Sequence, residues 1–173
     1  MEKPSTGRAE EIKEQEKWFR NKMAKTNGIE AVIFDWIGTL YQFGGHGLFP
    51  YSERVLQELQ PRYKLAAISK AVSNNVQTRL RQMHEIGHYF GFILADTDKT
   101  QEQFIECMQR LGVRPENTLV VDDRADRGIQ IANQLGCKTA WIQQGKYADI
   151  TPDEETGEPT YRINSVEDLL TIL

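Results

Sequence analysis

Four short apolar runs in this chain each lead into a side chain able to do chemistry. Asp35 follows EAVIF, Ser69 follows KLAAI, and Asp122 and Asp123 follow TLVV. Lys99 closes ADTDK, just after the apolar run at 92–94. Taken singly, each has an ordinary structural use: a turn former, an N-cap, a surface lysine, a loop pair. Taken together they are a carboxylate, a hydroxyl, an ammonium and a carboxylate pair. Three carboxylates held close repel one another and raise their own pKa values. A hard divalent cation relieves that repulsion, and Mg²⁺ favours one or two carboxylates plus water and phosphate oxygens. A lysine at a helix start opposes the helix dipole unless an anion binds there. Nucleophile, metal and charge clamp around one anion are the parts of a phosphoryl-transfer site.

Such a site needs elements that bring the four run ends to one place. The runs 30–34, 64–68, 92–94, 118–121 and 139–142 have strand length and lack clean alternation, as expected of strands buried on both faces. Between them lie helical patterns. Ser52–Leu59 has Ser52 placed as an N-cap. Residues 74–86 put Val76, Leu80 and Met83 on one face. Residues 100–111 open with a Thr100/Gln103 capping box and stop at Gly112. Residues 129–135 end at Gly136, and 165–172 open with Ser165 and Asp168 in a capping arrangement. Alternating strands and helices of this kind predict an α/β, three-layer Rossmann-like sandwich with a mostly parallel central sheet. In such sheets ligands bind beyond the carboxyl ends of the strands, where these side chains stand. The polar stretch 143–159 is expected to be an exposed, mobile loop. Residues 1–28 read as an N-terminal helical extension to a domain at 29–173. Trp18, Phe19 and Met23 are its candidates for partner contact or homo-oligomer formation.

The bulk properties narrow the function classes. The 173 residues fit one domain with a core of its own. A formal net charge of −4 and a pI of about 5.5 argue against a general nucleic-acid binder. Cys107 and Cys137 lack a metal-like spacing and suit a reducing compartment. No apolar run approaches the ~18 residues that span a bilayer. The charged N-terminus lacks the apolar core of a signal peptide, so a cytoplasmic address is expected.

The motifs and their order resemble the haloacid dehalogenase-like (HAD) superfamily over roughly residues 29–142. V-I-F-D-W-I-G-T-L at 32–40 is similar to the family's first motif. A-A-I-S ending at Ser69 is similar to its second, and D-K-T-Q-E-Q-F with Lys99 to its third. V-V-D-D-R-A-D-R-G-I at 120–129 is similar to the acidic fourth, and L-G-V-R-P-E-N at 111–117 also looks like the family. The resemblance implies a Mg²⁺-dependent hydrolase acting on a phosphorylated or other anionic substrate. Asp35 would be the nucleophile that forms an aspartyl-phosphate, and a metal ligand as well. Ile37 would offer its backbone carbonyl to the metal. Asp123 would be the main ligand from the fourth motif, aided by Asp122 or Asp126. Ser69 and Lys99 would hold the transferring phosphate, with Lys99 also neutralising Asp35.

Two departures shape that expectation. The family's phosphatases carry an acid two residues after the nucleophile, as general acid and base; here Ile37 stands there. Such assistance is worth roughly 10²–10⁴-fold in rate. Weak phosphatase activity is one consequence. A binding module that keeps the metal and anion site without turnover is another, and a dehalogenase or phosphonate-type hydrolase a third. His46, in the glycine-rich loop 41–50, is a candidate replacement proton carrier. The intervals 36–68 and 70–98 are too short for a sizeable cap domain, so an open, capless site is expected.

Overall fold

The protein, described here from a computed structural model, is defined at residues 10–15 and 28–173. Residues 10–15 are helical and exposed. Trp18, Phe19 and Met23 lie outside the described residues.

The sheet is built outward from its most apolar strand. β1 (Ala31–Phe34) is buried along its whole length. It pairs in parallel with β2 (Lys64–Lys70) on one side and with β4 (Thr118–Asp122) on the other. β3 (Phe92–Asp96) extends the sheet beyond β2. β5 (Lys138–Ile142) and β6 (Tyr161–Ile163) extend it beyond β4. All six strands are parallel, in the order β3-β2-β1-β4-β5-β6. β6 was not expected from the sequence. Its three residues carry too little pattern to separate them from the loop before them.

Alternate residues of each strand feed two cores. Val32 and Phe34 face α1 (Ser52–Leu59), α2 (Val76–Glu85) and the C-terminal α5 (Leu169–Ile172). Ala31 and Ile33 face α3 (Gln101–Leu111) and α4 (Gln130–Gln134). Both sheet faces are therefore covered, the condition that lets a parallel sheet be apolar throughout. α1 buries Val55, Leu56 and Leu59. Each contributes roughly 1.5–3 kcal/mol by leaving water.

The helix signals read from the sequence fare unevenly. α3 keeps its capping box, with Gln103 Oε1 accepting from the Thr100 N–H at 3.0 Å, and stops at Gly112 with φ 64°. Ser165 Oγ accepts from the Glu167 N–H at 3.2 Å, and Asp168 Oδ2 from the Asn164 N–H at 2.7 Å. Ser52, expected as an N-cap, instead lies inside α1 and donates to the Leu40 carbonyl at 2.8 Å. It ties the helix to the loop after β1. The stretch 129–135 begins as a π-turn at Ala125–Ile129 before α4 takes over. The 143–159 stretch, expected to be exposed throughout, is tied down in places. Thr156 is buried, and its carbonyl accepts from Asn133 Nδ2 at 2.9 Å. Residues 35–63 hold one short turn and α1, and residues 71–91 hold α2 between two more short turns.

Candidate active site

The strand order reverses between β1 and β4, and the crevice beyond such a reversal is where open α/β sheets bind ligands. Phe34 pairs with Val121, and the Asp35 N–H donates to the Val121 carbonyl at 2.9 Å. That register sets Asp35 beside Asp122 at the sheet tip. One carboxylate oxygen from each of Asp35, Asp122 and Asp123 lies within 4.8 Å of the other two.

Lys99 reaches into this cluster from the turn before α3. Its Nζ donates to Asp35 Oδ1 at 2.6 Å and to Asp122 Oδ2 at 2.9 Å, with only 2% of the side chain exposed. Burial alone pulls the ammonium down. The charges of Asp122 and Asp35 outweigh that, and its pKa stays above the ordinary lysine value. Asp122 Oδ1 also accepts from the Arg124 N–H at 2.8 Å, and Thr39 Oγ1 donates to Asp35 Oδ2 at 3.3 Å. Asp123 Oδ2 is buried without a hydrogen-bond partner among the described residues. Burial, then the charges of Asp35 and Asp122, push its carboxyl well above the usual range. Asp122 rises for burial and Asp35, less far because Lys99 opposes it.

Two glycines allow these carboxylates to sit where they do. A Cβ on Gly38, whose φ is 84°, would fall 2.2 Å from Asp123 Oδ2. A Cβ on Gly128 would fall 1.9 Å from Asp122 Oδ2. Asp126, expected as a possible helper to the acidic pair, is absent from the cluster. Its two oxygens accept from Arg124 Nε and Nη2 at 2.7 Å each, so it holds an arginine rather than a metal.

The cluster opens into a cavity of about 240 Å³. Ser69 lines it from the end of β2, and Ile37 from the turn after β1. Five of the expected site residues (Asp35, Ser69, Lys99, Asp122 and Asp123) and Ile37 are thus gathered in one crevice. His46 is exposed and is not among the lining residues. The sequence reading missed the cationic wall. Arg79 Nη1 donates to the Ser69 hydroxyl from α2, while Arg124, Arg127 and Lys70 complete the rim. Arg79 carries no local motif, since it arrives from mid-helix. Arg124 and Arg127 lie inside the quoted fourth motif, where a count of positive charges was the available signal. Tyr147, from the loop read as exposed, packs edge-on to Phe43 at 5.7 Å and lies under Arg124 at 4.3 Å.

A doubly wound parallel sheet with an acidic cluster and a buried lysine at its switch point defines the class: an α/β protein with a cluster of opposite charges at the strand tips. The family follows from comparison. The model of the haloacid dehalogenase-like hydrolase family matches residues 12–142, and the chain belongs to that family. It is 31% identical over 134 residues to glyceraldehyde 3-phosphate phosphatase of Methanopyrus kandleri, covering 73% of this chain and 57% of that protein. It is 29% identical to pyrophosphatase PpaX of Oceanobacillus iheyensis, covering 72% and 59%. The chain thus spans less than three fifths of the length of these curated relatives. Among solved structures, the Bacillus subtilis HAD-hydrolase YfnB, bound to magnesium, is 25% identical with a TM-score of 0.61, covering 75% of this chain and 57% of that one. A HAD phosphatase from Thermococcus onnurineus shares the fold, with a TM-score of 0.65 at 15% identity over 83% of this chain and 97% of that one.

Proposed function

We propose that the chain is a Mg²⁺-dependent phosphatase that works through an aspartyl-phosphate on Asp35. The observation that carries this is the Lys99 bridge between Asp35 and Asp122 beside the unpartnered Asp123 Oδ2. Three carboxylates against one ammonium leave the cluster with net negative charge. A buried carboxylate oxygen without a partner is costly unless something fills it. The donor set is all oxygen, which suits a hard cation such as Mg²⁺. Asp35, Asp123 and the Ile37 backbone carbonyl would hold the ion, with Asp122 completing the acidic wall. Bound there, it would offset charge on the phosphoryl oxygens.

The protein's own groups then have distinct tasks. Lys99 orients Asp35 through its 2.6 Å ion pair and offsets its charge. An Asp35 oxygen attacks phosphorus, an O–P bond forms, and the bond to the leaving oxygen breaks. Ser69, steadied by Arg79, and Lys99 hold the transferring phosphoryl group. Water then attacks phosphorus, the Asp35–phosphate bond breaks, and the carboxylate returns. Ile37 can neither protonate the leaving oxygen nor activate the water. Turnover of poor leaving groups is therefore slow.

The test is hydrolysis of an aryl phosphate with Mg²⁺ by the parent chain, Asp35→Asn and Ile37→Asp. The expected order is weak activity in the parent, none in Asp35→Asn and a gain in Ile37→Asp. Activity that survives Asp35→Asn shows that the nucleophile lies elsewhere. The apolar Ile37 favours one other reading, a binding module without turnover. A parent that binds phosphate through Lys99 and Asp123 but never turns it over supports that module. A cytoplasmic setting is part of the proposal, supported by two buried free cysteines. No helix among the described residues is long and apolar enough to cross a membrane.

A further inference from the structure

A second cavity, of about 280 Å³, lies beyond the carboxyl ends of β5 and β6, beside the catalytic one. Phe43 lines both spaces, and Gly38 helps to divide them. A Cβ on Gly38 would fall 2.2 Å from Asp123 Oδ2 and 2.9 Å from the Phe43 ring, so little more than backbone stands between the two. The spaces differ sharply in charge. The catalytic cavity is lined by three carboxylates, two lysines and three arginines. Among the described residues, no Asp, Glu, Lys, Arg or His lines the second.

The second cavity is built of rings and amides. Phe49 and Tyr51 stack with centroids 5.4 Å apart and planes 3° apart, and Phe43 adds a third ring. All three are only half-buried, which leaves ring surface for a flat molecule to cover. The hydroxyls around them are committed. Thr39 Oγ1 donates to Asp35 Oδ2 at 3.3 Å, Ser165 Oγ accepts from the Glu167 N–H, and the Tyr51 hydroxyl is hydrogen-bonded with Ser165. The amides have capacity to spare. Gln42 Nε2 donates to the Leu48 carbonyl at 3.0 Å, but its Oε1 accepts no bond among the described residues. The Gln144 and Asn164 side chains make no hydrogen bond among those residues. Each amide can both donate and accept. A charged ligand would shed its water here and meet no countercharge. The volume is near the lower edge of the roughly 300–1,000 Å³ usual for small-molecule sites, which limits the occupant to one or two rings.

We infer that this cavity is a separate binding site for a neutral heteroaromatic ring bearing an amide-type edge. The ring packs against Phe49, Tyr51 and Phe43. Its polar edge exchanges hydrogen bonds with Gln144, Asn164 and Gln42 Oε1. The inference does not depend on the phosphatase reading, because none of these contacts involves the carboxylate cluster.

The test titrates the full chain with nicotinamide by NMR, alongside two controls. Nicotinate replaces the neutral amide by a carboxylate, and cyclohexanecarboxamide keeps the amide without a flat ring. Nicotinamide should bind at least tenfold more tightly than either. Phe49→Ala should weaken it at least fivefold, the lower end of what losing one base–aromatic contact costs. Phe49 is half-buried, so a second variant keeps the test independent of folding. Gln144→Ala combined with Asn164→Ala, both exposed side chains, should weaken nicotinamide at least threefold at an unchanged Tm. Saturating orthophosphate with Mg²⁺ should leave nicotinamide affinity within twofold. Displacement by orthophosphate puts the ring in the catalytic cavity and overturns the inference. So does the absence of nicotinamide binding, equal binding of nicotinate, or binding that either variant leaves unchanged.

Discussion

Replacing Asp123 by asparagine should stabilise the metal-free protein at alkaline pH while abolishing its response to Mg²⁺. Asp123 is 1% exposed, and its Oδ2 has no hydrogen-bond partner among the described residues. Burial and the charges of Asp35 and Asp122 raise its carboxyl from the ordinary 3.8 to about 8. Folded protein therefore holds a proton there that unfolded protein has already lost between those values. Metal-free stability must fall as pH rises through this window, and the whole deficit is present above pH 8. A displacement of that size corresponds to a ceiling of about 6 kcal/mol. Neighbouring carboxylates relax by taking up protons themselves, so a realised effect of about 2 kcal/mol is the figure to seek. For a chain of this length that is roughly 4–8 °C in Tm. Thermal melts of parent and Asp123→Asn should be run at pH 4, 6 and 9, with and without Mg²⁺. The variant's advantage should vanish at pH 4, reach its full size at pH 9 in chelator, and reverse when Mg²⁺ stabilises only the parent. If the variant melts lower than the parent at pH 9 without metal, or if Mg²⁺ raises both equally, the carboxylate cluster is not strained by its charges as described.

Other outcomes follow from the same geometry. Mg²⁺ affinity measured by calorimetry should weaken by about tenfold per pH unit below 8, because a proton on Asp123 competes with the ion; a flat profile between pH 6 and 8 would sink that assignment. Gly38→Ala forces a Cβ to within 2.2 Å of Asp123 Oδ2 at a φ of 84°, and should lower stability by roughly 1–3 kcal/mol in denaturant titrations. Arg79→Ala should raise KM for an aryl phosphate more than it lowers kcat, since Ser69 loses the donor that fixes its hydroxyl; an unchanged KM contradicts this. Leu56→Ala, in a fully buried position of α1, should cost about 2–5 kcal/mol in chemical unfolding while leaving Asp35 chemistry in place at low temperature.

What the sequence by itself determined was the set of strand-end residues and the layers that hold them. Asp35, Ser69, Lys99, Asp122 and Asp123 were legible because each stands at or just beyond an apolar run of strand length, and parallel sheets place such positions at one edge. The Thr100/Gln103 cap and Gly112 fixed α3 because both signals are local. The tertiary structure decided matters that depend on partners far along the chain. Arg79 faces Ser69 only because α2 packs back across β2, and a mid-helix arginine announces nothing of the kind. Asp126 stood as an alternative to Asp122 in helping Asp123, but Arg124 takes both its oxygens. β6 exists because β5 offers an edge to pair with, not because three residues prefer to be extended. Ser52 had the right type and place for a cap, yet the Leu40 carbonyl competed for its hydroxyl and won. Local pattern sets which groups are available, and only the packed chain sets which of them meet.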